Sequence, residues 1–187
     1  MEELVFTPKG RGIFVAIIKP AAGKDEAGQA TTPKYTLRLV FDPGTDLSGL
    51  QKLVESVMVE KHGPDATKWP EQWRKPFRKI KDLDKPIEGL SPDAVFITAT
   101  AKAEHKPGVV DAKCQDILDD SQCYSGAYYR AQIAAYWYSH KGNKGVAFGL
   151  RNVQKMADGA PLGGRAPASA VFEAVEGVTD ARSSMFD

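Results

Sequence analysis

Rings and cations are interleaved between Tyr124 and Arg165. Tyr124, Tyr128, Tyr129, Tyr136 and Tyr138 fall there with Trp137, while Arg130, Lys141, Lys144, Arg151, Lys155 and Arg165 face a single acid, Asp158. Over the whole chain 25 basic residues nearly balance 24 acidic ones, so this local excess is a feature of the segment. Flat rings stack on unpaired bases of any identity and cations meet phosphates, so the chemistry such a set can do is to hold single-stranded nucleic acid. For each tyrosine taken singly, burial with a satisfied hydroxyl is the competing reading.

Other chemistries are poorly supported. Asp111, Asp116, Asp119 and Asp120 could in principle hold the metals of a nuclease, but such sites need rigidly clustered carboxylates. These four fall in a loop-like stretch with no Lys or His pattern around them, and a solvated acidic turn explains them better. Cys114, Cys123, His105 and His140 lack the tight spacing of a structural zinc site. No P-loop, nucleophile elbow, HExxH or GxGxxG motif occurs. No catalysis, cofactor or metal is expected, and two cysteines do not make a disulfide framework.

Charge is patterned along the rest of the chain. From Lys61 to Lys85, eight basic residues outnumber Asp65, Glu71, Asp82 and Asp84. Acidic residues dominate Asp111–Asp120 and the last twenty residues. Local field governs binding to a polyanion more than the total charge does, although a solvated surface explains the 61–85 run equally well. There is no apolar run of the ~20 residues that a membrane helix needs. The first ten residues, MEELVFTPKG, do not read as a signal peptide, so a cytoplasmic location is expected.

The elements that must position these residues are mostly strands. Gly12–Lys19 is β-branched and apolar, and Pro20 ends it. Ala21–Pro33 reads as a flexible loop. Tyr35–Phe41 alternates Tyr35, Leu37, Leu39 and Phe41 against Thr36, Arg38 and Val40, the period of a strand. Ser48–His62 has helical period, with Asp46 or Ser48 able to cap it and Gly63-Pro64 ending it. Trp69, Trp73 and Phe77 follow at spacing four among the middle cations. A short helix around Glu71–Arg74 is expected, with its rings packed on a core.

Ala94–Lys102 is a third strand and Pro107–Ile117 holds a fourth, short one. Tyr128–Ser139 divides into Ala131, Ile133, Ala135 and Trp137 on a core side, and Tyr128, Arg130, Gln132, Tyr136 and Tyr138 on the other. Lys141–Gly145 is a glycine-rich hairpin turn. Val146–Lys155 returns with Val146, Phe148 and Leu150 inward, and Ala147, Gly149, Arg151, Val153 and Lys155 outward. A mostly β chain with one sure helix suits a five-stranded barrel of the OB type. One such domain over residues 1–170 and a loosely held tail over 171–187 are expected. The candidate ligand residues are Tyr128, Arg130, Tyr136, Tyr138, Lys141, Lys144, Arg151, Lys155 and Arg165. A structural or protein-binding barrel is the main competitor, since Tyr and Arg are also enriched at protein interfaces.

The hairpin region also resembles a known family. Ser125-Gly126, Tyr128–Ala131, Tyr136, Lys144–Leu150, Asn152–Lys155 and Leu162–Arg165 are similar to the phage single-stranded-DNA-binding proteins of the Enc34 type, formerly a domain of unknown function. Weaker agreement extends through Pro107–Asp111 and Leu37–Pro43. The resemblance implies an OB fold and binding of single-stranded DNA without strict sequence choice. It further implies a role in phage DNA replication, recombination or repair, hence the bacterial host cytoplasm, and no catalysis. It brings replication or recombination proteins as partners through the C-terminal tail, and a homodimer is left open. The ending TDARSSMFD departs from the strongly acidic tail with a terminal aromatic that many single-strand binders carry: Asp187 follows Phe186, and Arg182 dilutes the charge.

Overall fold

The computed structural model describes residues 2–25, 27–162 and 172. Along the chain run β1 (Val5–Phe6), β2 (Gly10–Ala21), β3 (Lys34–Phe41), α1 (Ser48–His62), β4 (Arg78–Lys79), β5 (Val95–Lys102), β6 (Gly108–Val110), β7 (Tyr128–His140) and β8 (Asn143–Ala157). Five of these strands pair in a ring. β2 pairs with β3, β3 with β5, β5 with β8, β8 with β7, and β7 with β2. All are antiparallel except β5–β8. This is the expected five-stranded, partly open barrel. Its two thin seams are β2–β7 and β5–β8, each held by two residue pairs. The short strands β1, β4 and β6 extend β7, β5 and β8 respectively.

Period two fills the barrel. Tyr35, Leu37, Leu39 and Phe41 of β3 point inward with Ile97 and Ala99 of β5, Ile133 of β7, and Phe148 and Leu150 of β8. Leu50, Leu53, Val54 and Met58 of α1 join the same core, and α1 packs against β7 and β1. Each fully buried aliphatic or Phe side chain contributes ~1.5–3 kcal/mol of burial free energy, so this alternation is the main specification of the fold. Asp46 accepts a hydrogen bond from the Ser48 N–H at the entrance to α1, at 2.9 Å. Gly63 ends the helix at φ +87°, its N–H donating to the Val59 carbonyl.

A second, smaller core lies on the outer face of the same sheet. Ile13, Val40 and Phe96 project there and are covered by Ile80, Ala94, Leu83, Ile87 and Leu90. The chain from β4 to Leu90 therefore pads one end of the β2–β3–β5 face and leaves the rest of it open.

Three local departures from regularity matter for the surface. In β2, Ile13 pairs with Arg38 and Ala16 with Thr36, so Phe14 and Val15 together oppose Leu37. This bulge sets Phe14 at φ +50°, a sparsely populated region for a side chain of that size. In β8, Leu150 pairs with Ile133 but Asn152 pairs with Gln132, which makes Arg151 an extra residue. The bulge reverses the alternation beyond it. Val153, expected outward, is buried in the core, and Lys155 follows it to the inner side beside Tyr129.

The third concerns Glu71–Arg74, where the expected helix does not form. Instead Arg74 makes a bridge to Gly145. Its N–H donates to the Lys144 carbonyl at 2.8 Å, and its carbonyl accepts from Val146 N–H at 3.1 Å. Those bonds to β8 use the backbone groups a helix would have needed, and Pro70 and Pro76 break a helix on either side. The rings do pack as expected. Trp69 and Trp73 rest against the main core, and Phe77 meets Phe148 edge-on at 5.9 Å.

Candidate nucleic-acid interface

On β7 the division into faces is kept, because both register shifts with β8 place the extra residue in β8. Tyr129, Ala131 and Ile133 are buried, while Arg130 and Tyr136 are exposed. Tyr136 lies opposite Ala147, and Tyr138 opposite Gly145. Neither partner carries a side chain large enough to cover a ring, which leaves Tyr136 47% exposed. The hairpin closes through Lys141 (φ +48°) and Gly142 (φ +80°), with His140 and Asn143 paired across them. Both turn residues are left-handed, the geometry that suits the twist of a two-residue hairpin. Lys141 and Lys144 stand exposed at this tip.

The other expected residues divide. Tyr128 begins β7, eight residues from Tyr136, which is about 26 Å at ~3.3 Å per residue. It sits with Lys9 at 5.4 Å and Arg11 at 5.9 Å from its ring. Tyr128 and Tyr136 therefore share a face without sharing a pocket. Arg130 donates to Gln154 at 2.7 Å and lies 6.0 Å from the exposed ring of Phe6. Arg151 is neutralised by Glu2, to which its Nε donates at 3.2 Å. Lys155 is turned away by the bulge. Its side chain is 13% exposed, ion-paired to Asp158 at 2.6 Å, and 5.0 Å from the Tyr124 ring. Arg165 lies outside the described residues, as does the tail from residue 173.

The structure also assembles a group that the sequence reading passed over. Phe14, 62% exposed, is carried by the β2 bulge onto the open part of the β2–β3–β5 face. The Arg38 guanidinium lies 4.7 Å from its ring centroid and 5.0 Å from that of Phe96. Arg38 Nε donates to Thr98 Oγ1 at 3.1 Å across the β3–β5 pair. Arg78 of β4 reaches the same Phe96 ring at 5.5 Å. Thr36 and Thr100, paired across β3 and β5, continue this face away from the padded end. Period two did place Arg38 outward, so that part was legible. Phe14 does not stand out within the apolar strand Gly12–Lys19, because a bulge leaves no mark in an apolar run.

The two groups are joined by a short stretch of chain. Arg74 is bonded beside the hairpin tip, and Arg78 pairs with Phe96 four residues later. Gly145 permits the junction, since a Cβ there would lie against the Arg74 backbone. Lys144, Arg74, Lys75, Arg78 and Arg38 thus follow one another from the hairpin tip to the sheet face. None of the five forms an ion pair among the described residues. Two of the four acidic residues weighed as metal ligands accept hydrogen bonds within their own turns. Asp111 accepts from Lys113 and Gln115 N–H, and Asp119 from Ser121 N–H. Among the described residues no group of three or more His, Cys, Asp or Glu could hold a metal ion. None of their helices is long and apolar enough to cross a membrane.

A family model described as "Enterobacter phage Enc34, ssDNA-binding protein" matches residues 3–182. The chain belongs to this family. Among solved structures it is similar to the single-stranded DNA-binding protein from bacteriophage Enc34 in complex with ssDNA. That match has 18% identity and a TM-score of 0.65, and covers 86% of this chain and 89% of the other. A second structure of the single-stranded DNA-binding protein from bacteriophage Enc34 matches at 19% identity and TM-score 0.64, over 91% and 90% of the two chains. Gp2.5, a single-stranded DNA binding protein encoded by bacteriophage T7, matches at 16% identity and TM-score 0.58, over 96% and 99%. A comparison with curated protein sequences finds no match. At these identities the structural likeness bears on the fold, and the barrel of this Enc34-family protein agrees with it.

Proposed function

We propose that this protein binds single-stranded DNA without reading its sequence, and that it protects or organises the strand during phage DNA replication, recombination or repair. The observation that carries this reading is Phe14. A large ring held in the left-handed region, exposed, and backed by an arginine adds little to the core and suits a base. Strain of this kind concentrates at binding sites. Bases stack on Phe14 at the sheet face and on Tyr136 and Tyr138 near the hairpin, each good stack contributing ~1–3 kcal/mol. Arg38, Arg78, Lys75, Arg74, Lys144 and Lys141 meet the phosphates in between. Tyr128 and Arg130 serve an outlying part of the strand at the far end of β7. Because rings and cations offer no fixed pattern of base-edge donors and acceptors, binding tolerates any sequence.

The protein works as a binder with no catalytic step, in the cytoplasm of the infected cell. Recruitment of replication or recombination proteins by the C-terminal tail belongs to the same proposal. Fluorescence anisotropy with labelled oligo-dT, a mixed-sequence strand and the corresponding duplex, with and without magnesium, tests the reading. Comparable tight binding of both single strands and weak binding of the duplex are expected. Absence of single-strand binding at low salt would sink the proposal in favour of a protein-interaction barrel. Cleavage that depends on magnesium would restore the nuclease.

A further inference from the structure

We infer that Arg38 and Arg78 form a preformed site for one phosphodiester group on the sheet face. Both guanidinium groups lie against the Phe96 ring, at 5.0 Å and 5.5 Å from its centroid. Arg38 is further sandwiched by Phe14, and its Nε is fixed by Thr98. Its two terminal amino groups make no hydrogen bond among the described residues. Arg78 gives one N–H to the Asp82 carbonyl, and its Nε and other terminal nitrogen make none. No carboxylate pairs with either arginine among the described residues.

Two like charges on one ring with no counter-charge are an unfavourable arrangement for a folded protein. Burial, and after it the charge of Arg78, hold the Arg38 guanidinium below its usual range. A structural role would call for a carboxylate here or for an uncharged side chain. An anion with several acceptor oxygens removes the conflict. Planar donors locked by ring contacts and by Thr98 suit a tetrahedral phosphate, since little side-chain freedom is lost on binding. A dinucleotide unit then sets its phosphate between the arginines and one base against Phe14.

This inference rests on the proposed single-strand binding, and its test separates the two. Thermal unfolding of the full chain is followed in pyrophosphate and in chloride at equal ionic strength, for the wild type, Arg78→Gln and Lys113→Gln, the last an exposed lysine away from the basic path. Pyrophosphate is expected to raise the melting temperature of the wild type and of Lys113→Gln, with the rise lost in Arg78→Gln. In chloride alone, Arg78→Gln is expected to melt higher than the wild type, because the repulsion is gone. Oligo-dT binding by Arg78→Gln weakens about ten-fold, the size of one charge-assisted contact. Its slope of log affinity against log salt falls by about 0.7, one phosphate on a single strand. An equal pyrophosphate shift in all three proteins, or an unchanged salt slope, overturns the arginine site while leaving single-strand binding standing. Loss of oligo-dT binding by the wild type itself would instead remove the functional reading.

Discussion

At the residue scale, exposure and charge compensation separate residues that bind from residues that hold the fold. Phe14 is exposed and conformationally strained, so Phe14→Ala is expected to weaken oligo-dT binding by ~1–3 kcal/mol with no fall in melting temperature. An affinity unchanged by the substitution would remove Phe14 from the interface. Lys155 is the opposite case. Lys155→Gln should leave oligo-dT affinity untouched and cost ~0.5–1 kcal/mol of stability, because its partner is the half-exposed Asp158. Burial pushes the Asp158 carboxyl up, but hydrogen bonds from Lys155 and Tyr124, with the Lys155 charge, outweigh it and leave it below its usual range. A lowered carboxylate contributes stability above its unfolded value, ~3.9, and loses it as pH falls through the folded one. Denaturant unfolding between pH 5 and pH 2 should therefore show a shallower acid loss in Asp158→Asn than in the wild type. The two cysteines make a further contrast. Cys123 is buried, and burial pushes its thiol up to about 11, whereas Cys114 is exposed. One equivalent of a thiol reagent should react in the native protein at pH 7.5, at Cys114, and the second only after unfolding.

At the element scale, bulges and one glycine decide what reaches the surface. Alternation placed β3 and β7 correctly, and helical period with Gly63-Pro64 delimited α1, because each of these segments obeys one period from end to end. Alternation failed in β8 at Arg151, where the extra residue sent Val153 and Lys155 inward. In β2 the apolar run offers no alternation to read, so the bulge at Phe14 is hidden in it. A polar residue at a bulge and an apolar one within a run both satisfy the local pattern, so only the partner strand reveals the slip. The Glu71–Arg74 segment misled in another way, since spacing-four rings fit a helix until a β edge competes for the backbone. That edge depends on Gly145. A Cβ there would sit against backbone atoms of Arg74, so Gly145→Ala is expected to destabilise by ~1–3 kcal/mol through overpacking. It should also free Arg74–Phe77 to exchange amide hydrogens and weaken oligo-dT binding. Unchanged exchange at Arg74 and Val146 would show that this junction does not order the basic track.

At the scale of the whole molecule, a nearly neutral chain presents a positive path because its charges are sorted. Acidic side chains serve as turn acceptors at Asp111 and Asp119 or as counter-ions at Glu2, Asp93 and Asp158. The cations from Lys144 to Arg38 are left uncompensated among the described residues, although they come from three separate parts of the sequence. This explains why the candidate site was only half legible. The hairpin cations and the 61–85 run each stood out, but nothing in one dimension joins them to Arg38 on β3. Barrel closure brings β3, β4 and β8 together around β5, and it is this closure that makes the path.

The central claim is that a single strand lies along this path and stacks on Phe14. Ultraviolet crosslinking of the full chain to an oligo-dT carrying bromodeoxyuridine, with mass-spectrometric mapping of the adducts, tests it most directly. Adducts are predicted at Phe14 and at Tyr136 or Tyr138, reduced by excess unlabelled single strand and unaffected by duplex. Adducts confined to Phe6, Tyr124 or the β1–β6 side of the barrel would contradict the account.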